Sequence, residues 1–181
     1  MKHKIHPLIL TALFTALIII VTYIKIPIPP VPITLQTAVI LLAAILLGKK
    51  YGTLSVILYT LLGLFGLPVF AGGSGGFGYI ITPTFGYIIG FILSAFVCGF
   101  IAERNKNSFK MLLLSAFAGM AIIYICGMAY YFIIQSLWFQ SEIDIKKFII
   151  SFFLLPLPKD IITCFIVSII GKRLLSSIKL T

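Results

Sequence analysis

Long apolar runs separated by short polar, proline-rich or glycine-rich breaks make up the chain. A helix needs about 20 mostly apolar residues to cross the hydrocarbon core of a bilayer, and several runs approach that length. The pattern predicts helices over about Pro7–Ile24, Leu35–Leu47, Tyr51–Leu67, Tyr79–Glu103, Met111–Gln135 and Lys159–Leu174. We therefore expect an all-α integral membrane protein with six transmembrane helices, forming a single domain over residues 1–181.

Prolines and glycines define the unusual breaks. Four prolines between Pro27 and Pro32 exclude a helix and favour extended backbone. The following helix, residues 35–47, is too short to span a bilayer, so the proline segment is expected to supply the remaining depth, packed against protein. Five glycines between Pro68 and Gly78 predict an uncharged loop at the membrane interface. Pro83 is a candidate break in the helix predicted after that loop, and the last helix is preceded by an interrupted apolar stretch from about Phe148.

Composition indicates whether water or lipid surrounds this chain. Hydrophobic residues make up 61% of the 181 residues, and only 10% are charged. A soluble domain carries roughly 25% charged residues. No soluble fold could keep so much apolar surface from water, and lipid must therefore surround the helices.

The basic residues indicate topology rather than nucleic-acid binding. The net charge is +10, but the basic residues occur in short clusters between apolar runs. If both termini are cytoplasmic, ten of the 14 lysines and arginines lie inside and four outside, as the positive-inside rule requires. This topology places the proline segment, the glycine loop and the start of the last helix on the outer side of a cell membrane.

Enzymatic readings lack the residues they need. The sequence Gly73-Ser74-Gly75 suggests an intramembrane serine protease, but the only histidines are His3 and His6, at the N-terminus. The glycine loop lacks the Lys-Ser/Thr ending of a phosphate-binding loop. The three cysteines have no metal-ligand spacing. We therefore predict no catalytic residues, no metal site and no cofactor.

Asp160 is the most informative residue. It is the only acid within an apolar run, and a membrane-embedded acid is by default a functional candidate. Because it follows Pro158, it is expected in the first turn of the last helix, where the helix dipole favours negative charge. A structural cap is the alternative reading. Lys159 adjoins it but is expected to point elsewhere on the helix, either outward or towards an anionic ligand.

Small residues at helical spacing mark two packing faces. Ala12 and Ala16 stack on one face of the first helix, where another helix can approach closely in lipid. That face serves either packing within the chain or docking of a partner protein. A longer stripe of small residues in the fourth helix is expected to pack within the chain, and its members are Gly86, Gly90, Ser94 and Cys98.

The sequence resembles the BioY family, the substrate-binding (S) components of energy-coupling factor (ECF) transporters for biotin. The resemblance extends through almost the whole chain and is strongest in Ile26–Thr37, Gly63–Phe70 with the glycine run that follows, and Thr82–Tyr87. One departure lies at the last helix, which in much of the family begins Pro-Gly-Asp-x-x-Lys. Here Lys159 replaces the glycine, and Thr163 stands where the second lysine is expected.

The resemblance implies a six-helix bundle that binds biotin near its outer face. A transmembrane coupling protein (T component) and two ATP-binding cassette ATPases would supply the energy, and Ala12 and Ala16 match the alanine pair that docks on the coupling protein. Biotin needs an acceptor for its ureido N–H groups, apolar walls and a feature that binds its carboxylate. The candidate substrate-binding residues are Asp160, Lys159, Thr163, Gln36, Thr34, Tyr79, Thr84, Phe85, Tyr87, Gly75 and Gly76.

Two other classes of function remain open at the level of sequence. One is an S component or transporter of the same architecture for another vitamin, with a different pocket. The other is a membrane scaffold that binds no ligand. Biotin bound to the purified protein would distinguish all three.

Overall fold

Helices account for most of the residues that a computed structural model of the chain describes, namely 2–26, 33–139 and 144–177. The helices are α1 (Lys2–Tyr23), α2 (Gln36–Leu64), α3 (Phe85–Ala102), α4 (Phe109–Ile134), α5 (Ile145–Ile149) and α6 (Leu157–Ser177). Short 3₁₀ and π-helical segments cover Phe77–Ile81, Gln135–Phe139 and Ile150–Leu154. Strands β1 (Lys25–Ile26) and β2 (Ile33–Thr34) pair antiparallel. The prolines at 27–32 lie outside the described residues.

Helix α2 folds back on itself at Gly48. This residue has φ +76° and ψ −179°, which is not a helical conformation. The Gln36 side-chain amide donates to the Tyr59 hydroxyl at 2.9 Å, although the two residues are 23 positions apart. In a straight helix they would be separated by about 35 Å. Residues 36–47 and 49–64 therefore form a helical hairpin, and the prediction of two helices joined by a tight turn is confirmed.

Glu103 joins this turn to the end of α3. Its Oε1 accepts a hydrogen bond from the Lys49 amide at 3.0 Å, and its Oε2 lies 3.7 Å from the Lys49 ammonium. The carboxylate thus satisfies a free N–H at the start of the second helix of the hairpin, where negative charge is favoured. One side chain fixes both the turn and the adjacent helix end.

Small residues bring α3 and α4 into close contact. A Cβ added at Gly86 would lie 2.2 Å from the Tyr130 Cβ, and one added at Gly90 would lie 3.0 Å from the Ile123 Cα. The remaining members of the predicted stripe, Ser94 and Cys98, are fully buried. The prediction that this stripe packs within the chain is confirmed.

Prolines explain where the predicted helix boundaries were wrong. The helix predicted over 79–103 begins only at Phe85, because Pro83 has no N–H to donate and Thr82 before it is extended, with φ −71° and ψ 142°. Helix α6 begins at Leu157, earlier than predicted, because Pro158 is tolerated in a first helical turn. The first helix begins at Lys2 rather than Pro7.

Four helices in the described part of the chain are long and apolar enough to cross a membrane. They are Gln36–Leu64, Phe85–Ala102, Phe109–Trp138 and Ile145–Ser177. A shorter apolar helix covers Pro7–Tyr23. The hairpin within α2 means that the first of these contains two antiparallel helices.

Replacing Gly48 with alanine is expected to destabilise the fold. The backbone conformation of Gly48 is essentially restricted to glycine and costs other residues about 1–3 kcal/mol. The added Cβ would also lie 2.2 Å from Glu103 Oε1. We expect a lower melting temperature for purified Gly48→Ala in detergent, measured by thermal unfolding. Gly78→Ala is the control, because a Cβ there meets no atom within 4 Å. Equal melting temperatures for the two variants would contradict this role of the turn.

Candidate functional site

A cavity lies beside strand β2 and the start of α6. Its volume is about 700 Å³, including the open space at its mouth. It is lined by Thr34, Gln36, Thr37, Tyr59, Ala71, Tyr79, Thr84, Tyr87, Ile88, Phe91, Ile123, Tyr124, Pro156, Lys159 and Asp160. The two helices of the α2 hairpin, the glycine loop and the helices α3, α4 and α6 therefore all contribute to one site.

Asp160 is the buried acid of this cavity. Only 5% of the residue is exposed, and it lies in the first turn of α6. Its Oδ2 accepts a hydrogen bond from the Tyr124 hydroxyl at 2.7 Å. Its Oδ1 is fully buried and lies beside the Lys159 ammonium. Each carboxylate oxygen can accept more than one hydrogen bond, so Oδ1 keeps acceptor capacity for a ligand.

Lys159 turns back towards Asp160. Its ammonium nitrogen lies 2.6 Å from Asp160 Oδ1, and the two groups form an ion pair. The same nitrogen donates to the main-chain carbonyl of Thr34 at 2.9 Å. The expectation that Lys159 points away from Asp160 was wrong. Its long flexible side chain reaches across the start of the helix to Asp160 Oδ1 and to the Thr34 carbonyl oxygen.

A polar network connects strand β2 to the two helices of the α2 hairpin. Gln36 is buried and donates through Nε2 to the Tyr59 hydroxyl at 2.9 Å. Its Oε1 accepts from the Thr34 hydroxyl at 3.1 Å. These partners assign the orientation of the amide. The network fixes the start of α2 against the second helix of the hairpin and leaves polar groups facing the cavity.

Tyr79 and Thr84 form another part of the cavity wall. The hydroxyls of Tyr79 and Thr84 lie 3.1 Å apart. Burial raises the pKa of Tyr79 above its ordinary value, so its hydroxyl stays neutral and can donate a hydrogen bond. The ring of Tyr79 packs on Phe70, with centroids 4.6 Å apart. The wall therefore combines an aromatic surface with hydroxyl groups.

The structure brings together seven of the sequence-predicted substrate-binding residues. They are Asp160, Lys159, Gln36, Thr34, Tyr79, Thr84 and Tyr87, all of which line the cavity. The other four, Thr163, Phe85, Gly75 and Gly76, are not among the lining residues.

Packing explains the positions of Thr163 and Phe85. Thr163 is 8% exposed and lies in the next turn of α6, on the face that packs against the other helices. The Phe85 ring packs on Tyr130, with centroids 5.9 Å apart.

The two loop glycines serve the loop itself. A Cβ at Gly75 would lie 2.2 Å from the Leu67 carbonyl oxygen, and the Gly76 amide donates to the Gly63 carbonyl at 2.7 Å. The Gly76 N–H is therefore already used, and Ala71 is the residue of this loop that lines the cavity.

Sequence reasoning missed the tyrosine that holds the acid. Tyr124 is 36 residues before Asp160 and lies in the middle of an apolar run. Its hydroxyl could have indicated this contact, because a buried tyrosine in an apolar helix needs a hydrogen-bond partner. The other lining residues that were missed are Thr37, Tyr59, Ala71, Ile88, Phe91, Ile123 and Pro156.

The arrangement fits a small amphipathic ligand. Asp160 Oδ1 can accept from a ligand N–H, the aromatic and apolar side chains can enclose an apolar body, and the ammonium of Lys159 can bind an anionic group. In the described part of the chain, no three His, Cys, Asp or Glu side chains are grouped so that they could hold a metal ion.

Comparison with known proteins identifies the family. The sequence pattern of the BioY family matches residues 1–180. A protein of Thermotoga maritima named biotin transporter BioY is 53% identical over 120 residues, which cover 66% of this chain and 70% of that protein. A biotin transporter BioY of Lactococcus lactis is 35% identical over 178 residues, covering 96% of this chain and 92% of that protein.

A solved structure has the same fold. The crystal structure of the S component for biotin from an ECF-type ABC transporter superposes with a TM-score of 0.84 and 34% sequence identity. The match covers 97% of this chain and 93% of that chain. The fold, the matched sequence pattern and the relatives agree, and the chain belongs to the BioY family.

Proposed function

We propose that this chain is the biotin-binding subunit of an ECF-type uptake transporter. The observation that carries the proposal is the buried ion pair of Asp160 and Lys159 in one polar and aromatic cavity, in a chain whose relatives are named biotin transporters. The chain captures a ligand and is not itself an enzyme. It crosses the cell membrane several times.

The chemistry of biotin matches the cavity from end to end. Its ureido ring carries N–H donors for Asp160 Oδ1. Its fused ring and thioether fit against apolar and aromatic walls that include Phe91 and Ile123. Its carboxylate is an anion, and Lys159 is the only lysine or arginine among the described cavity-lining residues. A vitamin without an N–H donor could not use the remaining acceptor capacity of Asp160, which disfavours such a substrate as the alternative.

Energy must come from partner proteins, because the chain has no ATP-binding motif. One face of α1 is suited to docking: Ala12 and Ala16 are exposed, while the preceding residues, Thr11 and Thr15, are buried against the chain. Thr15 donates to the Ser55 carbonyl at 3.0 Å, which fixes this rotation of the helix. We assign the alanine face to a transmembrane coupling protein, driven by two ATPase subunits.

The proposed topology has six spans with both termini in the cytoplasm. The hairpin of α2 provides two of these spans. The turn at Gly48 and the end of α3, joined by Lys49 and Glu103, then lie on the cytoplasmic side with most of the basic residues. The cavity opens at the outer side.

Replacing Asp160 with asparagine should weaken biotin binding. The change keeps the size of the side chain but removes its charge, and a hydrogen bond to a charged acceptor is worth about 1.5–3 kcal/mol. We expect the affinity of the purified protein, measured by calorimetry, to fall roughly tenfold to a hundredfold. Asp144→Asn is the matched control, because Asp144 caps the exposed start of α5 and does not line the cavity. Unchanged affinity in Asp160→Asn would make Asp160 a structural cap.

Tryptophan at Ala12 or Ala16 should block transport but not capture. A bulky side chain prevents close approach of a partner helix without entering the cavity. We expect uptake by cells that carry the whole transporter to be abolished, with biotin affinity of the purified variants nearly unchanged. Ile125→Trp on α4 is the control, since Ile125 is 63% exposed and apolar, and it should transport normally. Equal loss of binding and uptake would identify the alanine pair as internal packing.

Reporter fusions test the topology. Fusions after Lys50, Arg104 and Thr181 should report the cytoplasm, and fusions near Gly75 and Glu142 should report the outside, because the basic clusters are retained inside. An external signal at Thr181 would refute a topology with six spans.

A further inference from the structure

Two basic side chains converge on one aromatic ring at the end of α3. The Lys49 ammonium lies 5.1 Å from the centroid of the Phe100 ring, and the Arg104 guanidinium carbon lies 4.9 Å from the same centroid. Gly99 permits this arrangement, because a Cβ added there would lie only 2.5 Å from the Lys49 main-chain nitrogen. The turn at Gly48 therefore packs directly on α3, and the fold holds both cations at one ring.

The charge at this ring is not neutralised. Glu103 accepts a hydrogen bond from the Lys49 amide and pairs with the Lys49 ammonium. Arg104, in contrast, forms no salt bridge with an acid in the part of the chain that the structure describes. Lys50 is exposed beside them and lies over the ring of Tyr51. The group keeps a net positive charge and can bind an anion.

An exposed apolar stripe runs along α3 to the same ring. Its members are spaced three or four residues apart on one face of the helix and are between 36% and 49% exposed; they are Ile89, Leu93, Phe96 and Phe100. The helix rises about 16 Å from the first to the last of them. This rise is close to half of the roughly 30 Å hydrocarbon core of a bilayer. The stripe therefore matches one acyl chain in a single leaflet.

We propose that the stripe and the two cations form a binding site for an anionic phospholipid. The phosphate of the headgroup binds Arg104 and Lys49, and one acyl chain lies along the stripe. Basic residues at a membrane surface attract anionic lipids, and a guanidinium can bind a phosphate through two hydrogen bonds. The positive charge selects the headgroup, and the apolar stripe selects a lipid over a soluble phosphate.

This site is separate from the biotin cavity. The residues of α3 that line the cavity are Tyr87, Ile88 and Phe91, near the start of the helix. Arg104 follows the other end of the helix. Occupation of the lipid site is therefore independent of the proposed function, and biotin affinity should not depend on it.

Native mass spectrometry of the purified protein tests the lipid site. The protein in detergent is titrated with dioleoyl phosphatidylglycerol and, in parallel, with dioleoyl phosphatidylcholine, which has the same acyl chains but no net charge. We expect the first phosphatidylglycerol to bind roughly fivefold more tightly or better, which is the contribution of one basic residue at an anionic surface. Glycerol 3-phosphate, which lacks the acyl chains, should not displace it.

Three variants localise the site. Arg104→Gln should lower the preference for phosphatidylglycerol roughly fivefold. Arg173→Gln is the matched control, because Arg173 is an exposed arginine of α6 that lies over no ring among the described residues, and it should keep the preference. Glu103→Gln should raise the preference, since it removes a negative charge while its amide oxygen can still accept from the Lys49 N–H.

Four results would overturn the proposal. Equal affinity of the wild-type protein for the two lipids would show that the headgroup is not recognised. Equal losses in Arg104→Gln and Arg173→Gln would show that the overall charge of the chain attracts the lipid. Displacement by glycerol 3-phosphate would identify a site for soluble phosphates. Loss of uptake in Arg104→Gln with unchanged lipid binding would assign the surface to the coupling protein.

Discussion

A carboxylate buried among apolar helices must be provided with partners, and the architecture of the site follows from that requirement. Asp160 lies at the start of α6, where the helix dipole favours negative charge. Tyr124 on α4 satisfies one of its oxygens, and Lys159 balances its charge. The oxygen that Lys159 contacts keeps acceptor capacity for a ligand in the cavity. A group that is expensive to bury is thereby kept available for a ligand.

The same acid links elements that are distant in the sequence. Through Tyr124 it connects α6 to α4, and through Lys159 it connects α6 to the main chain of Thr34. Thr34 in turn bonds to Gln36, whose amide reaches Tyr59. This continuous polar path runs around the cavity wall, so a change at one lining residue is expected to alter the positions of the others.

Much of the fold was readable from the sequence because its signals are local. Gly48 followed by two lysines interrupted an apolar run, and the chain reverses there. Small residues every four positions in α3 predicted packing within the chain, and the close contact with α4 provides it. Pro83 predicts a break, but propensity alone does not fix where the helix resumes after it, and the helix begins at Phe85.

The site was less readable because its contacts are not local. Asp160 stood out as an acid in an apolar run, but its partner Tyr124 is one of several tyrosines in such runs, and nothing in the spacing links them. The inward turn of Lys159 depends on the position of Thr34, which is 125 residues away. Gly76 illustrates the opposite error, since its N–H is used by the neighbouring helix end rather than by the cavity.

The orientation of bound biotin tests the central claim most directly. A crystal structure of the complex should place the ureido ring within hydrogen-bonding distance of Asp160 Oδ1, with the fused ring between the aromatic walls and the carboxylate towards the mouth at Lys159. A ligand bound in the reverse orientation, or bound outside this cavity with Asp160 unchanged, would contradict the account.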